Sequence, residues 1–286
     1  MPKLIMTKGL QGSGKSTWAK EKVSQSKGQI KRVNRDDLRA MIDPKWTGKK
    51  EEAIVRIQQA VVFAVLVQGF DCIVDDTNLH SSNESRLREY ADACGAEFLI
   101  QDFTHVPLQE CLKRDAMREG TARVGERVIL ETYKRYLTPS KPEPVYGGTQ
   151  CIIVDIDGTL AEHVGRSPYE EMKCDTDTLI ESTERIVSAL MYDTGAEVKL
   201  FSGRTEASRK LTEQWLEDNL ILYTDLTMRQ VGDVRPDYVV KEEMYRTHIE
   251  GKYNVLYVVD DRKQVCLMWK YVLNLPLVYV GDFIDF

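Results

Sequence analysis

An α/β fold in two halves, each built on a parallel sheet, is what this sequence of 286 residues predicts. Three observations predict it. Apolar runs of strand length alternate with stretches of helical spacing along most of the chain, the pattern of parallel strands joined by helical crossovers. A glycine-rich loop, Gly9-Leu10-Gln11-Gly12-Ser13-Gly14-Lys15-Ser16, separates the first strand from the first helix. The strand-like runs of the second half end in polar or acidic residues, where open parallel sheets carry their sites.

The elements follow in order. Leu4 to Thr7 is a short first strand, and Lys15 to about Ser24 a helix opened by the glycine-rich loop. Ile30 to Val33 reads as a second strand, followed by a helical start at Asp36-Asp37-Leu38-Arg39. Between about 50 and 68, Ile54, Ile57, Val61 and Val65 recur at helical spacing. Asp71 to Asp75 is a strand ending in acid, and Glu97 to Phe103 another; helices near 107–119 and 124–137 close this half. Thr138-Pro139-Ser140-Lys141-Pro142-Glu143-Pro144, then Gly147-Gly148, breaks every regular pattern. Domains at 1–138 and 150–286, joined by a linker at 139–149, are therefore expected. Beyond the linker, Cys151 to Val154, Glu197 to Phe201 and Val255 to Val259 repeat the strand pattern.

Composition excludes some classes. The chain is long enough for two cores, and 42% hydrophobic with 29% charged residues is ordinary for a globular protein. No apolar run approaches the roughly 20 residues that span a bilayer, and Met1-Pro2-Lys3 leads into a strand without a signal-peptide pattern. The six cysteines show no paired spacing, so reduced thiols and a cytoplasmic location are expected. A net charge of -6 argues against a protein that coats nucleic acid. It leaves room for one that grips a single terminus through local arginines.

The glycine-rich loop satisfies the Walker A pattern at every specified position. Gly9, Gly12, Ser13 and Gly14 let backbone N–H groups turn around the phosphates of ATP, and the helix behind them presents its positive end. Lys15 reaches the terminal phosphates, Ser16 the magnesium ion, and Thr17 follows on the same turn. Asp36 is the candidate base for an attacking hydroxyl, although an aspartate there also suits a helix cap. Arg39, one turn on, can hold an acceptor's phosphate. Asp75-Asp76-Thr77-Asn78 ends a strand, and acceptor binding and a magnesium role are both open for the acid pair. Arg114, Arg118 and Arg123 lie in a basic stretch that can close over the transferring phosphoryl group, Arg118 foremost.

In the second half, Asp155-Ile156-Asp157-Gly158-Thr159 follows an apolar run. Asp155 can attack phosphorus, and Asp157 can protonate the leaving alkoxide and then activate water. Ser202 ends a strand, with Gly203 and Arg204 behind it. Lys241 can offset charge between nucleophile and phosphate, and Asp260-Asp261 with the Asp155/Asp157 pair supplies hard oxygen ligands for Mg2+. This half resembles the haloacid dehalogenase-type phosphatase superfamily. The gaps from Thr159 to Ser202 and from Arg204 to Lys241 hold little more than single elements, too little for a full cap domain. The fold expected is thus an N-terminal P-loop kinase sheet plus a haloacid dehalogenase-like Rossmannoid domain without a large cap, its site open to a macromolecular end.

With both halves in view, the whole chain resembles the polynucleotide kinase/3′-phosphatase family of the T-even phage type. The matching positions are Gly14-Lys15-Ser16, Arg35-Asp36-Asp37 with Arg39, Asp76-Thr77-Asn78, Arg114 and Arg118, then Asp155, Asp157, Arg166, Ser202, Arg204, Arg229, Asp237, Lys241, Asp260 and Asp261. The resemblance implies that Asp36 is the kinase base, that Arg39 grips the acceptor, and that Arg166 and Asp237 are needed for phosphatase activity. It further implies a homotetramer. Leu10-Gln11 replaces the family's Cys-Pro, and Arg235-Pro236-Asp237-Tyr238 departs from its Lys-Asp-Asp.

The function expected is end healing ahead of a ligase. ATP would phosphorylate a 5′-OH of RNA or DNA, and a 3′-phosphate, with 2′,3′-cyclic phosphate as an extension, would be hydrolysed through Asp155. Two rivals are a small-metabolite kinase fused to a metabolite phosphatase, disfavoured by the missing cap, and a nucleotide-regulated binding module, which would need neither Asp36 nor the arginines.

Overall fold

The computed structural model describes residues 1–42 and 51–281, and the chain divides into two compact units, Met1–Leu137 and Thr138–Phe286. In the first unit the order is β1 (Lys3–Lys8), α1 (Lys15–Gln25), β2 (Ile30–Val33), α2 (Arg35–Ile42), α3 (Glu51–Val67), β3 (Asp71–Val74), α4 (Ser81–Ala93), β4 (Glu97–Asp102), α5 (Leu108–Ala116) and α6 (Glu126–Tyr136). The sheet runs β2-β3-β1-β4, and every pairing is parallel. Leu4 and Met6 of the central β1 are fully buried; they pair with Cys72 and Val74 on one side and with Phe98 and Ile100 on the other. The chain leaves β1 where the strand order reverses, so the glycine-rich loop opens at the sheet's switch point.

Three helices differ from expectation. In α3 the buried row is Ile54, Gln58, Val62 and Leu66, one strict i, i+4 ridge, while Ile57, Val61 and Val65 pack at its margin. A glutamine in a buried row hides such a face from a purely apolar pattern. α4 was not anticipated at all, because it buries only Leu87, Tyr90 and Ala91 among thirteen mostly polar residues. α5 also stops at Ala116, placing Arg118 beyond the helix. Among the described residues no helix is long and apolar enough to cross a membrane.

The second unit contains β5 (Thr149–Asp155), β6 (Ala161–Glu162), β7 (Thr178–Leu179), α7 (Glu181–Thr194), β8 (Glu197–Thr205), α8 (Arg209–Asp218), β9 (Asp225–Arg229), α9 (Asp237–His248), β10 (Tyr253–Asp260), α10 (Lys263–Leu267) and β11 (Leu277–Tyr279). Its parallel sheet runs β11-β10-β5-β8-β9. Central β5 is buried on both faces: Cys151 and Ile153 enter one core with Phe201 and Trp269, Ile152 and Val154 the other with Trp215 and Leu216. Alternate side chains thus anchor the strand from both sides and fix where its last residue, Asp155, emerges. The insertion after β5 is small: β6 and β7 pair antiparallel, and between them lies one 3-10 helix, Glu171–Thr176. The helix expected from Asp177 starts at Glu181 instead, because Thr178–Leu179 is held in that two-stranded ribbon.

Candidate active sites

In the first unit, Lys15 is buried with its ammonium donating to the Leu10 carbonyl at 2.7 Å and the Ser13 hydroxyl at 3.3 Å. Burial pulls it down to about 8 against the attraction of Asp75. The loop is closed tightly: at Gly12, φ +82°, an added Cβ would lie 2.3 Å from the Cys111 carbonyl oxygen. Only glycine lets α5 approach the loop so closely. That approach brings Arg114 and Arg118 to a cleft of about 510 Å³ whose other lining is Gly12, Gly14, Thr17, Trp18 and Glu21. Asp115, between them, is buried and accepts from the backbone N–H groups of Val124 and Gly125 at 3.1 and 2.8 Å. It also lies 3.6 Å from the Arg118 guanidinium.

The acid pair ending β3 separates by geometry. Asp75 accepts from the Ser16 hydroxyl at 3.2 Å and from Arg32 at 2.6 Å. A hydroxyl and a buried carboxylate meeting at the loop's exit fit a magnesium ion beside a triphosphate, as hard oxygen donors should. Asp76 turns elsewhere, accepting from Arg35 Nε at 3.1 Å, the Arg35 backbone at 3.0 Å and Gln58 at 2.7 Å. Asn78, expected to bind an acceptor, is buried and donates to the Thr7 carbonyl at 2.9 Å. Its amide stitches the end of β3 to β1, so its side chain is not presented to a ligand. Thr77 contributes its carbonyl to the Gly9 N–H at 2.9 Å. Asp36 stands in the first turn of α2, 85% exposed and paired with Arg39. Arg39 is fastened in turn to Glu51 at 2.7 Å, and Glu51 also takes Arg35 at 3.3 Å. Asp36, Arg39 and Arg35 thus form one cluster, held by Glu51 and Asp76.

In the second unit Asp155 ends β5, nearly buried, with the Lys241 ammonium at 2.7 Å. Lys241 is also 3.0 Å from Asp260 and 3.6 Å from Asp237. Asp155, Asp260 and Asp261 offer carboxylate oxygens all within 4.8 Å of one another. Burial, above the opposing pull of Lys241, holds Asp155 well above the usual carboxylate range, and Asp260 is raised for the same reason. Three carboxylates against one ammonium leave a surplus of two negative charges, which suits a divalent cation of hard character. Asp260 is oriented by the Trp269 indole at 3.1 Å and the Arg262 N–H at 3.1 Å, and Thr159 donates to Asp261 at 3.1 Å. Gly158, φ +82°, lies where a Cβ would sit 2.2 Å from Asp261, so a side chain there would strain the turn after Asp157 and displace the Asp261 carboxylate.

Asp157 differs from its sequence assignment. It was expected among the metal ligands, but its carboxylate falls outside the Asp155 cluster and accepts from Arg204 at 2.7 Å, Arg166 at 3.0 Å and His163 at 2.9 Å. Burial alone would raise it; the hydrogen bonds from His163 and Arg204 outweigh that and hold it far below the usual carboxylate range. Both arginines are shared with Asp177, which takes Arg166 Nε at 2.7 Å and Arg204 at 2.9 Å. Asp177 and His163 were missed in the sequence, since neither belongs to a strand-end motif. Ser202 is buried and its hydroxyl accepts the Arg204 N–H at 3.1 Å. Arg229 binds the Gly203 carbonyl at 3.0 Å and Asp237 at 3.0 Å. Gly203, Arg229 and Asp237 therefore form one bracket behind Ser202, with Lys241 a turn along α9 from Asp237.

Two family matches cover nearly the whole chain. Residues 4–140 match the family described as AAA domain, and residues 149–283 match the polynucleotide kinase PNKP phosphatase domain. A solved Pnkp1/Rnl/Hen1 complex contains a chain 30% identical over 99% of this one and 98% of its own length, with a TM-score of 0.48. The chain belongs to the polynucleotide kinase–phosphatase family. A second structure, of the Pnkp1/Rnl/Hen1 RNA repair complex, is 31% identical over 99% and 97% of the two chains, with a TM-score of 0.47. A curated relative from Autographa californica nuclear polyhedrosis virus, named for a bifunctional polynucleotide kinase/RNA ligase, is 28% identical over 99% of this chain. The chain spans 43% of that relative's length. An N-terminal P-loop kinase-type domain is thus joined to a C-terminal phosphatase domain of the polynucleotide kinase type.

Proposed function

We propose that the chain heals RNA ends, phosphorylating a 5′-OH with its first unit and removing a 3′-phosphate with its second, ahead of a ligase. The RNA repair complex of one solved relative and the RNA ligase in the viral relative's name support RNA as the nucleic acid. A homotetramer rests on the family resemblance alone.

In the kinase unit, Lys15, Arg114 and Arg118 stabilise the charge of the transferring phosphoryl group of ATP. Ser16 and Asp75 would hold Mg2+, which supplies neutralisation of the phosphate oxygens. Asp36 accepts the proton of the 5′-OH, and Arg39 and Arg35 orient the acceptor. In the phosphatase unit, an Asp155 oxygen bonds to phosphorus, the P–O3′ bond breaks, and Asp157 gives its proton to the departing O3′. Asp157 then takes a proton from the water that attacks the aspartyl-phosphate, freeing Asp155 and inorganic phosphate. Asp155, Asp260 and Asp261 would hold Mg2+, which draws charge off the phosphoryl oxygens. His163 and Arg204 hold Asp157 ionised before substrate arrives; as Arg204 gives up its bonds to Asp157 for the phosphate, the carboxylate takes from solvent the proton it must donate.

The observation that carries this reading is the Asp155–Lys241 contact at 2.7 Å inside a carboxylate cluster at the end of the central strand. The test is labelled ATP with a 5′-OH, 3′-phosphate RNA oligonucleotide, reading both termini. Lys15→Ala abolishes 5′ labelling and spares 3′ dephosphorylation; Asp155→Asn does the converse. Loss of both activities in either variant overturns the proposal.

A further inference from the structure

Three donors converge on one oxygen of Asp157: Arg204 Nη2 at 2.7 Å, His163 Nε2 at 2.9 Å and Arg166 Nη2 at 3.0 Å, all to Oδ1. Oδ2 receives the Arg204 Nε at 2.9 Å. Two of the three residues that donate to Oδ1 are arginines, and both guanidiniums also bond the buried Asp177. In the reaction proposed above a phosphoryl dianion draws on these guanidiniums, whose fork matches phosphate as it does carboxylate. A side chain whose fixing bonds are withdrawn at the moment of reaction would rotate, and proton delivery to the O3′ leaving group depends on its direction.

His163 is placed to prevent this. It follows the short strand β6, whose Ala161 is fully buried, and the neighbouring Leu160 carbonyl accepts the Ile180 N–H at 2.8 Å. The imidazole therefore stands on a fixed base, and it is a poorer competitor for phosphate than either guanidinium. Its ring is only partly exposed, at 22%.

We propose that His163 is a positioning residue of the phosphatase reaction: its Nε2–H holds Asp157 Oδ1 in place while the arginines engage the phosphate. The inference rests on the reading of Asp157 as the proton donor. Toward Asp155 and the phosphorus atom His163 has no role, so the bond-forming half of the step is untouched by its loss.

Leaving groups that differ in their need for a proton provide the test. Single-turnover release of the alcohol isolates the first step, measured on a 3′-phosphorylated oligonucleotide and on p-nitrophenyl phosphate. The sugar alkoxide cannot depart unprotonated, whereas p-nitrophenolate can. His163→Ala is expected to slow the oligonucleotide roughly ten- to a hundredfold, with KM unchanged and p-nitrophenol release within about twofold of the parent. His163→Gln, whose amide N–H reaches a similar point, is expected to restore most of the rate. Equal loss on both substrates, or none on the oligonucleotide, overturns the proposal. Asp157→Asn, run in parallel, separates the levels. Selective loss on the oligonucleotide upholds Asp157 as donor whatever His163 does, and equal loss on both substrates removes that reading and this inference with it.

Discussion

Replacing Lys241 by methionine keeps the length of the side chain and deletes its charge. In the parent the ammonium lies 2.7 Å from Asp155 and 3.0 Å from Asp260, with exposures of 1%, 7% and 2% for the three side chains. Removing one partner of a buried ionic group strands the others, at a cost of about 3–5 kcal/mol. For a unit of this size that lowers the melting temperature by roughly 6–20 °C, at about 2–4 °C per kcal/mol. Trp269 donates its indole N–H to Asp260 at 3.1 Å, so its fluorescence in a denaturant titration reports the affected unit. The decisive comparison is Lys241→Met with Asp155→Asn in the same chain. If stranded charge is the cause, neutralising Asp155 in the Lys241→Met background should recover on the order of 1–2 kcal/mol. A single variant within about 0.5 kcal/mol of the parent, or a double variant no better than the single, would refute the electrostatic account of this cluster.

Gly12→Ala should disable the nucleotide loop, since the new Cβ would meet the Cys111 carbonyl at 2.3 Å and the left-handed backbone alone costs about 1–2 kcal/mol; calorimetric titration with an ATP analogue should show binding lost. Asp75→Asn should raise the magnesium concentration needed for half-maximal kinase rate, whereas Asp76→Asn, by loosening Arg35, should raise the KM for the acceptor; kinase titrations in each ligand distinguish the two. Lys15 sits at about 8 in the folded protein against 10.5 unfolded, so the unfolded chain binds the extra proton between those values and the first unit gains stability as pH rises through that window. The same loss of charge should make kcat/KM for ATP fall above about pH 8, while kcat, measured with the triphosphate already holding the ammonium, shows no such limb.

Much of this was legible in the residues because the relevant physics is local. Gly9 to Ser16 and Asp155 to Thr159 are turns whose backbone conformation and chemistry are written in adjacent positions. The strand order could not be read this way, yet the alternation of elements was enough to place both motifs at strand carboxyl ends. What escaped was brought together across the sequence. Gln58 serves Asp76, Glu51 ties Arg39 to Arg35, and Asp177 and His163 close on Asp157. None of these has a neighbour in the chain that announces it. Asn78 was misplaced for the opposite reason: it stands in a strand-end run of polar residues, but its side chain is used to bind the Thr7 carbonyl. The resemblance supplied Arg166 and Arg229, whose partners Asp177 and Asp237 lie at a distance along the chain.

Asp115 holds the turn at Val124 and Gly125 through two backbone amides and stands beside Arg118. The ordering of that segment is therefore settled when the polypeptide folds, before any triphosphate arrives. A guanidinium recruited from a floppy loop would surrender rotational freedom in each catalytic cycle. Here a single interior carboxylate makes that sacrifice once, for the lifetime of the molecule.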